Sequence, residues 1–158
     1  MGMFTESAVE AQKERETFKK EFSERVGEAV ESMELAEFRA DVAVYREQNL
    51  KTYRPSVWGL LILCSKSIYY YVAPQESYLS FFMKGAGKTD EKLLKLTDLS
   101  GLTLVAPKQG FFSFLNPELA RSVEASYDSL SGGKRYFTLV LNHKADSVLQ
   151  AMLGKLAD

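Results

Sequence analysis

Residues 85–90 read Gly-Ala-Gly-Lys-Thr-Asp, the ending of a phosphate-binding loop, which would place a nucleoside triphosphate on this chain. That loop needs a glycine five residues before its second glycine, so that backbone amides can curl round the phosphates, and a helix must follow it. Position 82 is Phe, and the segment 91–98 meets the Ser100-Gly101 turn within about two helical turns. The stretch therefore reads as a flexible turn between strands. Other reactive groups are scarce. His143 is the single histidine and has no cysteine or carboxylate at ligand spacing, so no metal site is expected. Cys64, the single cysteine, cannot form an internal disulfide and sits in an apolar run, where a free thiol behaves as a small hydrophobe. No Gly-x-Ser-x-Gly elbow occurs. The carboxylate pairs Asp90-Glu91 and Glu34 with Glu37 fall in charge-rich segments that suit a solvated surface. The expectation is a non-enzymatic protein with no cofactor and no catalytic residues.

Positioning elements must come from a chain of 158 residues, enough for one domain and an appended element, with 46% hydrophobic residues to fill a core. Lysines and arginines number 20 against 21 acidic residues, so bulk charge favours neither nucleic acid nor an anionic membrane. The longest apolar run, 57–64, is far too short to span a bilayer. The first thirty residues are too charged for a signal peptide, and Glu6 stands where myristoylation wants Ser or Thr. With one free cysteine, a cytoplasmic location is expected.

Residues 5–32 have helical composition, and Phe18, Phe22, Val26 and Val30 recur every fourth position as one apolar stripe. Gly27 inside that helix would cost about 1 kcal/mol relative to Ala, so the helix needs something to pack on. Residues 35–50 fit either element: Phe38, Val42 and Tyr45 suit a helix, while 41–45 alternates like a strand, and a strand near 41–47 is the expectation taken. Strands are predicted at 57–64, 67–72, 78–83, 102–105, 123–127 and 136–141. Ser65-Lys66, Pro74-Gln75-Glu76 and Ser131-Gly132-Gly133 supply turns. Phe137, Leu139 and Leu141 form one inward row, and Val123, Ala125 and Tyr127 another. Ala145, Val148, Leu149, Met152, Leu153 and Leu156 then follow a helical period, with Asn142 placed to cap it.

Residues 59–71, Gly-Leu-Leu-Ile-Leu-Cys-Ser-Lys-Ser-Ile-Tyr-Tyr-Tyr, are similar to the glycine, apolar strand, polar turn and aromatic strand of the pleckstrin-homology superfold, chiefly its GRAM-like and bacterial PH-like branches. Residues 93–99 resemble the apolar, polar, Asp, apolar segment that follows, and 134–141 with the last helix resemble the closing strand and helix. The resemblance covers roughly 40–158. It implies a mainly β fold with helices: a bent antiparallel barrel of about seven strands, capped by a C-terminal helix and preceded by an N-terminal one. The domains would be a helical arm over 1–33 and the PH-like unit over 34–158. Phosphoinositide-binding members carry several Lys and Arg in the loop between the first two strands, whereas the turn here offers only Lys66.

Binding surfaces remain. Phe111, Phe112, Phe114 and Leu115 crowd one loop; aromatic burial favours their plugging the barrel mouth, and if exposed they would enter a bilayer interface or a partner's groove. Lys84, Lys88, Lys92 and Lys95 form either a solvated edge or a contact for anionic headgroups. Strands 57–64 and 68–72 are apolar on both faces, so something must cover the outside. The candidates are the arm carrying Phe18, Phe22 and Val26, folded back in cis, or a second subunit. The function expected is protein binding, to self or another chain, through this face and the arm; a membrane lipid surface is the alternative partner, and nucleic acid is not expected.

Overall fold

The computed structural model of the chain describes residues 2–50, 56–72, 91–108, 110–111 and 115–157. In order the elements are α1 (Gly2–Val26), β1 (Val30–Ala40), α2 (Val42–Glu47), β2 (Ser56–Cys64), β3 (Ile68–Val72), β4 (Lys92–Lys95), β5 (Thr103–Val105), β6 (Ser122–Asp128), β7 (Lys134–Leu141) and α3 (Asp146–Leu156). Single 3-10 turns lie at Leu96–Asp98 and Leu119–Arg121. The strand expected at 78–83, the breaker at 74–76 and the glycine-rich stretch 85–90 lie outside the described residues.

Two sequence expectations fail near the start. The first helix does not reach residue 32, because Gly27 adopts φ +73° and its amide bonds back to the Ser23 carbonyl at 2.9 Å. That left-handed conformation ends a helix, so Gly27 is its terminator and not a cost inside it. The chain turns at once into β1, whose Val30 amide donates to Ser23 Oγ at 3.2 Å. Residues 41–47 are also no strand: Val44 and Tyr45 amides bond to the Asp41 carbonyl, α2 forms, and Asn49 at φ 55° follows it. Val44, Tyr45 and Leu50 are buried in the main core. Segment 91–98, too short for a phosphate-loop helix, forms β4 and a 3-10 turn.

Among the described residues, seven strands make one sheet in the order β4-β3-β2-β1-β7-β6-β5, and every adjacent pair is antiparallel. Among the described residues the expected closed barrel is not formed: β4 and β5 are the edges of the sheet. Yet these edges are consecutive in the chain, joined by residues 96–102. Six strand spacings of about 4.8 Å would hold the edges of a flat sheet roughly 29 Å apart. Eight residue steps, three of them tightened by the 3-10 turn, reach only about 22 Å. The sheet must therefore curl, and its concave side holds the main core.

Phe38 stacks on Phe137 with ring centroids 4.7 Å apart, and Tyr70, fully buried, places its hydroxyl 2.8 Å from the Ala36 carbonyl and 3.0 Å from that of Val57. Gly59 lets this happen, since a Cβ there would lie 2.4 Å from the Tyr71 carbonyl oxygen and 3.0 Å from the Tyr70 ring. The inward rows 137/139/141 and 123/125/127 are buried as their period of two predicts. The C-terminal helix α3 contributes Leu149 and Met152. Its N-cap position is Ala145, not Asn142, and no side chain caps it; the Ala145 amide is tied to the Ala120 carbonyl at 2.9 Å instead.

Candidate functional site: the outer face of the sheet

Alternation along β2 and β3 sends Leu61, Leu63, Ile68, Tyr70 and Val72 to the main core and Ile62, Cys64, Tyr69 and Tyr71 to the opposite face. This outer row is buried by α1. Phe22 meets Tyr69 edge-on at 5.4 Å, Phe18 meets Tyr71 at 5.2 Å, and Val26 packs beside them. Of the two expected covers, the one in place is therefore the arm in cis. Phe18, Phe22 and Val26, nominated as contact residues in cis or in trans, pack on their own sheet.

Polar contacts fix the seat. Arg15 donates to the Met33 carbonyl at 3.1 Å, and Arg25 pairs with Glu91. Just beyond the helix, Glu28 accepts from the Lys66 amide at 2.7 Å, the Ser67 hydroxyl at 2.7 Å and the Tyr69 hydroxyl at 3.4 Å. Burial alone would raise its pKa, but these donors together hold it below the ordinary 4.5. Lys155 of α3 pairs with Glu31, tying the last helix to the same end of the sheet. Under α1, Cys64 is pushed up to about 11, first by burial and then by the Glu28 charge, so its thiol is inert while covered.

Farther along β1 and β2, none of the described residues covers the face. Tyr71 pairs with Leu60, and Leu60 with Leu35, giving one apolar row across β3, β2 and β1. Tyr71 lies under the helix, while Leu35 is 43% exposed and Trp58, two residues before Leu60, is 51% exposed. Trp58 pairs with Glu37, which pairs on its other side with Val140. Glu37 is nearly buried and accepts from Arg39 Nε at 2.5 Å, while the other arm of that guanidinium donates to Glu118 at 2.6 Å. Glu118, then Glu37, raise the Arg39 pKa further. Both carboxylates neutralise the arginine, so the shallow groove of about 520 Å³ formed by Glu37, Arg39, Ala40, Asp41, Tyr136, Phe137 and Thr138 is no anion receptor. Its lip is Tyr136, 64% exposed.

The other nominated residues are scattered. Phe111 and Leu115 do not plug the core as burial favoured: they are 88% and 67% exposed, because α2 and α3 already supply the apolar side chains that close the concave side. Phe112 and Phe114 lie outside the described residues, as do Lys84 and Lys88. Lys92 and Lys95 sit on edge strand β4, and Lys95 lies 3.7 Å from Asp98 and 6.0 Å from the Tyr69 ring centroid. The Phe-bearing loop instead follows the opposite edge strand, β5. His143 is exposed. Among the described residues, no three His, Cys, Asp or Glu side chains gather at metal-binding distance, and no helix is long and apolar enough to cross a membrane.

Compared with known proteins, the sequence matches no family model and no curated relative. The open patch of Leu35 and Trp58 was not nominated from the sequence. A signal existed, since Trp58 shares outward parity with Ile62 in a strand apolar on both faces, but Leu35 could not be placed while β1 was unrecognised.

Proposed function

We propose that the protein is a cytoplasmic, non-enzymatic PH-like interaction module that binds a protein partner across the uncovered part of its outer sheet face. One observation carries this reading: Trp58, on a strand inside the sheet and not at its edge, is half exposed beside Leu35. Aromatic anchors beside a charged, hydrogen-bonded rim are what binding hot spots are made of. The PH-like assignment rests on the sequence resemblance together with a curled, antiparallel seven-stranded sheet and a C-terminal helix. The apolar face expected to bind is thereby narrowed to the part α1 leaves free.

Affinity capture from the source cells with the native chain and with Trp58→Glu as paired baits tests it. Proteins held by the first and lost from the second are expected; the same set on both baits contradicts the reading. The exposure of Phe111 and Leu115 supports a second reading, attachment to a membrane surface. Flotation with phosphatidylserine vesicles at low salt decides it, since a chain left in the bottom fraction has no such attachment.

A further inference from the structure

We propose that α1 is an exchangeable arm, which in a dimer of this chain leaves its own sheet and takes the same seat on the sheet of a second copy. This rests on the reading of the outer face as a protein-binding surface and names a partner for it. The seat is already known to accept one occupant, an amphipathic helix presenting Phe18 and Phe22 to Tyr71 and Tyr69. A second copy offers that same helix, so exchange replaces every contact of the seat with an identical one.

The connection is built for it. Only residues 27–29 separate α1 from β1, and short hinges invite swapping. The fold-back depends on Gly27 at φ +73°, with open space where a side chain would point. Straightening that residue carries the helix away from its own strand. The apolar packing of the helix begins only at Phe18, and residues 9–17 are all exposed apart from the Arg15 bond to the Met33 carbonyl. The face beside the seat stays apolar, since the row under α1 runs on through Leu60 to the half-exposed Leu35, with the half-exposed Trp58 two residues before Leu60, so a dimer has further apolar surface to bury.

The test uses the full chain carrying Arg25→Cys, Glu91→Cys and Cys64→Ala, bridged by a short bismaleimide at micromolar and near-millimolar concentration. Arg25 and Glu91 touch across the seat, so the link reports whose helix occupies it. Exchange predicts links between chains that increase with concentration on a denaturing gel. Adding Gly27→Ala strains only the folded-back hinge, so it should tighten the dimer about tenfold per hinge and about a hundredfold for both. A dimer weakened by Trp58→Glu but linked only within chains overturns exchange and leaves the open face as the interface. A monomer at every concentration overturns exchange too, and paired-bait capture then judges the open face separately.

Discussion

The outer face of the sheet carries two regions that share one apolar row and meet opposite fates. Over β2 and β3, Ile62, Cys64, Tyr69 and Tyr71 are buried beneath α1; on the neighbouring β1 Leu35, and nearer the start of β2 Trp58, stay half exposed. Strand chemistry does not separate them, for both are apolar positions on adjacent strands. What separates them is the helix, whose Phe18 and Phe22 reach only the first region. A covered patch contributes to stability, and an uncovered patch of the same chemistry is available for binding.

The comparison breaks most readily at its covered side. Gly59→Ala should cost about 3 kcal/mol in urea unfolding, because the new methyl meets the Tyr71 backbone oxygen and the buried Tyr70 ring. Phe22→Ala removes the most buried ring of the helix and should cost a similar 3 kcal/mol or so. At the open side, Trp58→Ala should cost about 1 kcal/mol, well below Phe22→Ala, since half of its surface is already in water. A cost near that of Phe22→Ala would mean that Trp58 is already packed, and the two regions would not differ.

The smallest effect sharpens the boundary between helix and sheet. Glu28 has a folded-state pKa below its ordinary 4.5, so its contribution is present above pH 4.5 and is lost as pH falls through the lowered value. Glu28→Gln should flatten that acid-side decline in unfolding free energy and leave the profile above neutrality unchanged. An unaltered acid limb would remove Glu28 as the tie between α1 and the β2–β3 turn.

Much of this contrast was legible in residue order alone. The two-faced character of β2 and β3 announced that a cover was needed, and the stripe at 18, 22 and 26 made the arm one of the two candidates. The inward rows of β6 and β7 and the apolar face of α3 followed from periods of two and 3.6. What was missed has one physical cause. β1 is rich in Glu and Ala, residues that favour helix, and it becomes a strand because β2 and β7 pair with it on both sides; its Glu37 is satisfied by Arg39 across the strand's own surface. Tertiary pairing of that kind overrides local propensity. With β1 hidden, Leu35 could not be set beside Trp58, and the open patch stayed unread. α2 was misread for the mirror-image reason, since Val42, Val44 and Tyr45 favour strands but follow a strand that has ended at Ala40.

The central claim, that α1 shields an apolar face in cis, is tested most directly by the reaction of Cys64 with a thiol-specific disulfide reagent in the native chain. The thiol lies under the helix with its pKa raised to about 11, so reaction must wait for α1 to lift. Phe22→Ala should speed the reaction about a hundredfold, following its cost in stability, while Leu139→Ala, which weakens only the concave core, leaves it unchanged. A native chain whose Cys64 reacts as fast as a free thiol, or a rate that Phe22→Ala does not alter, would contradict the account.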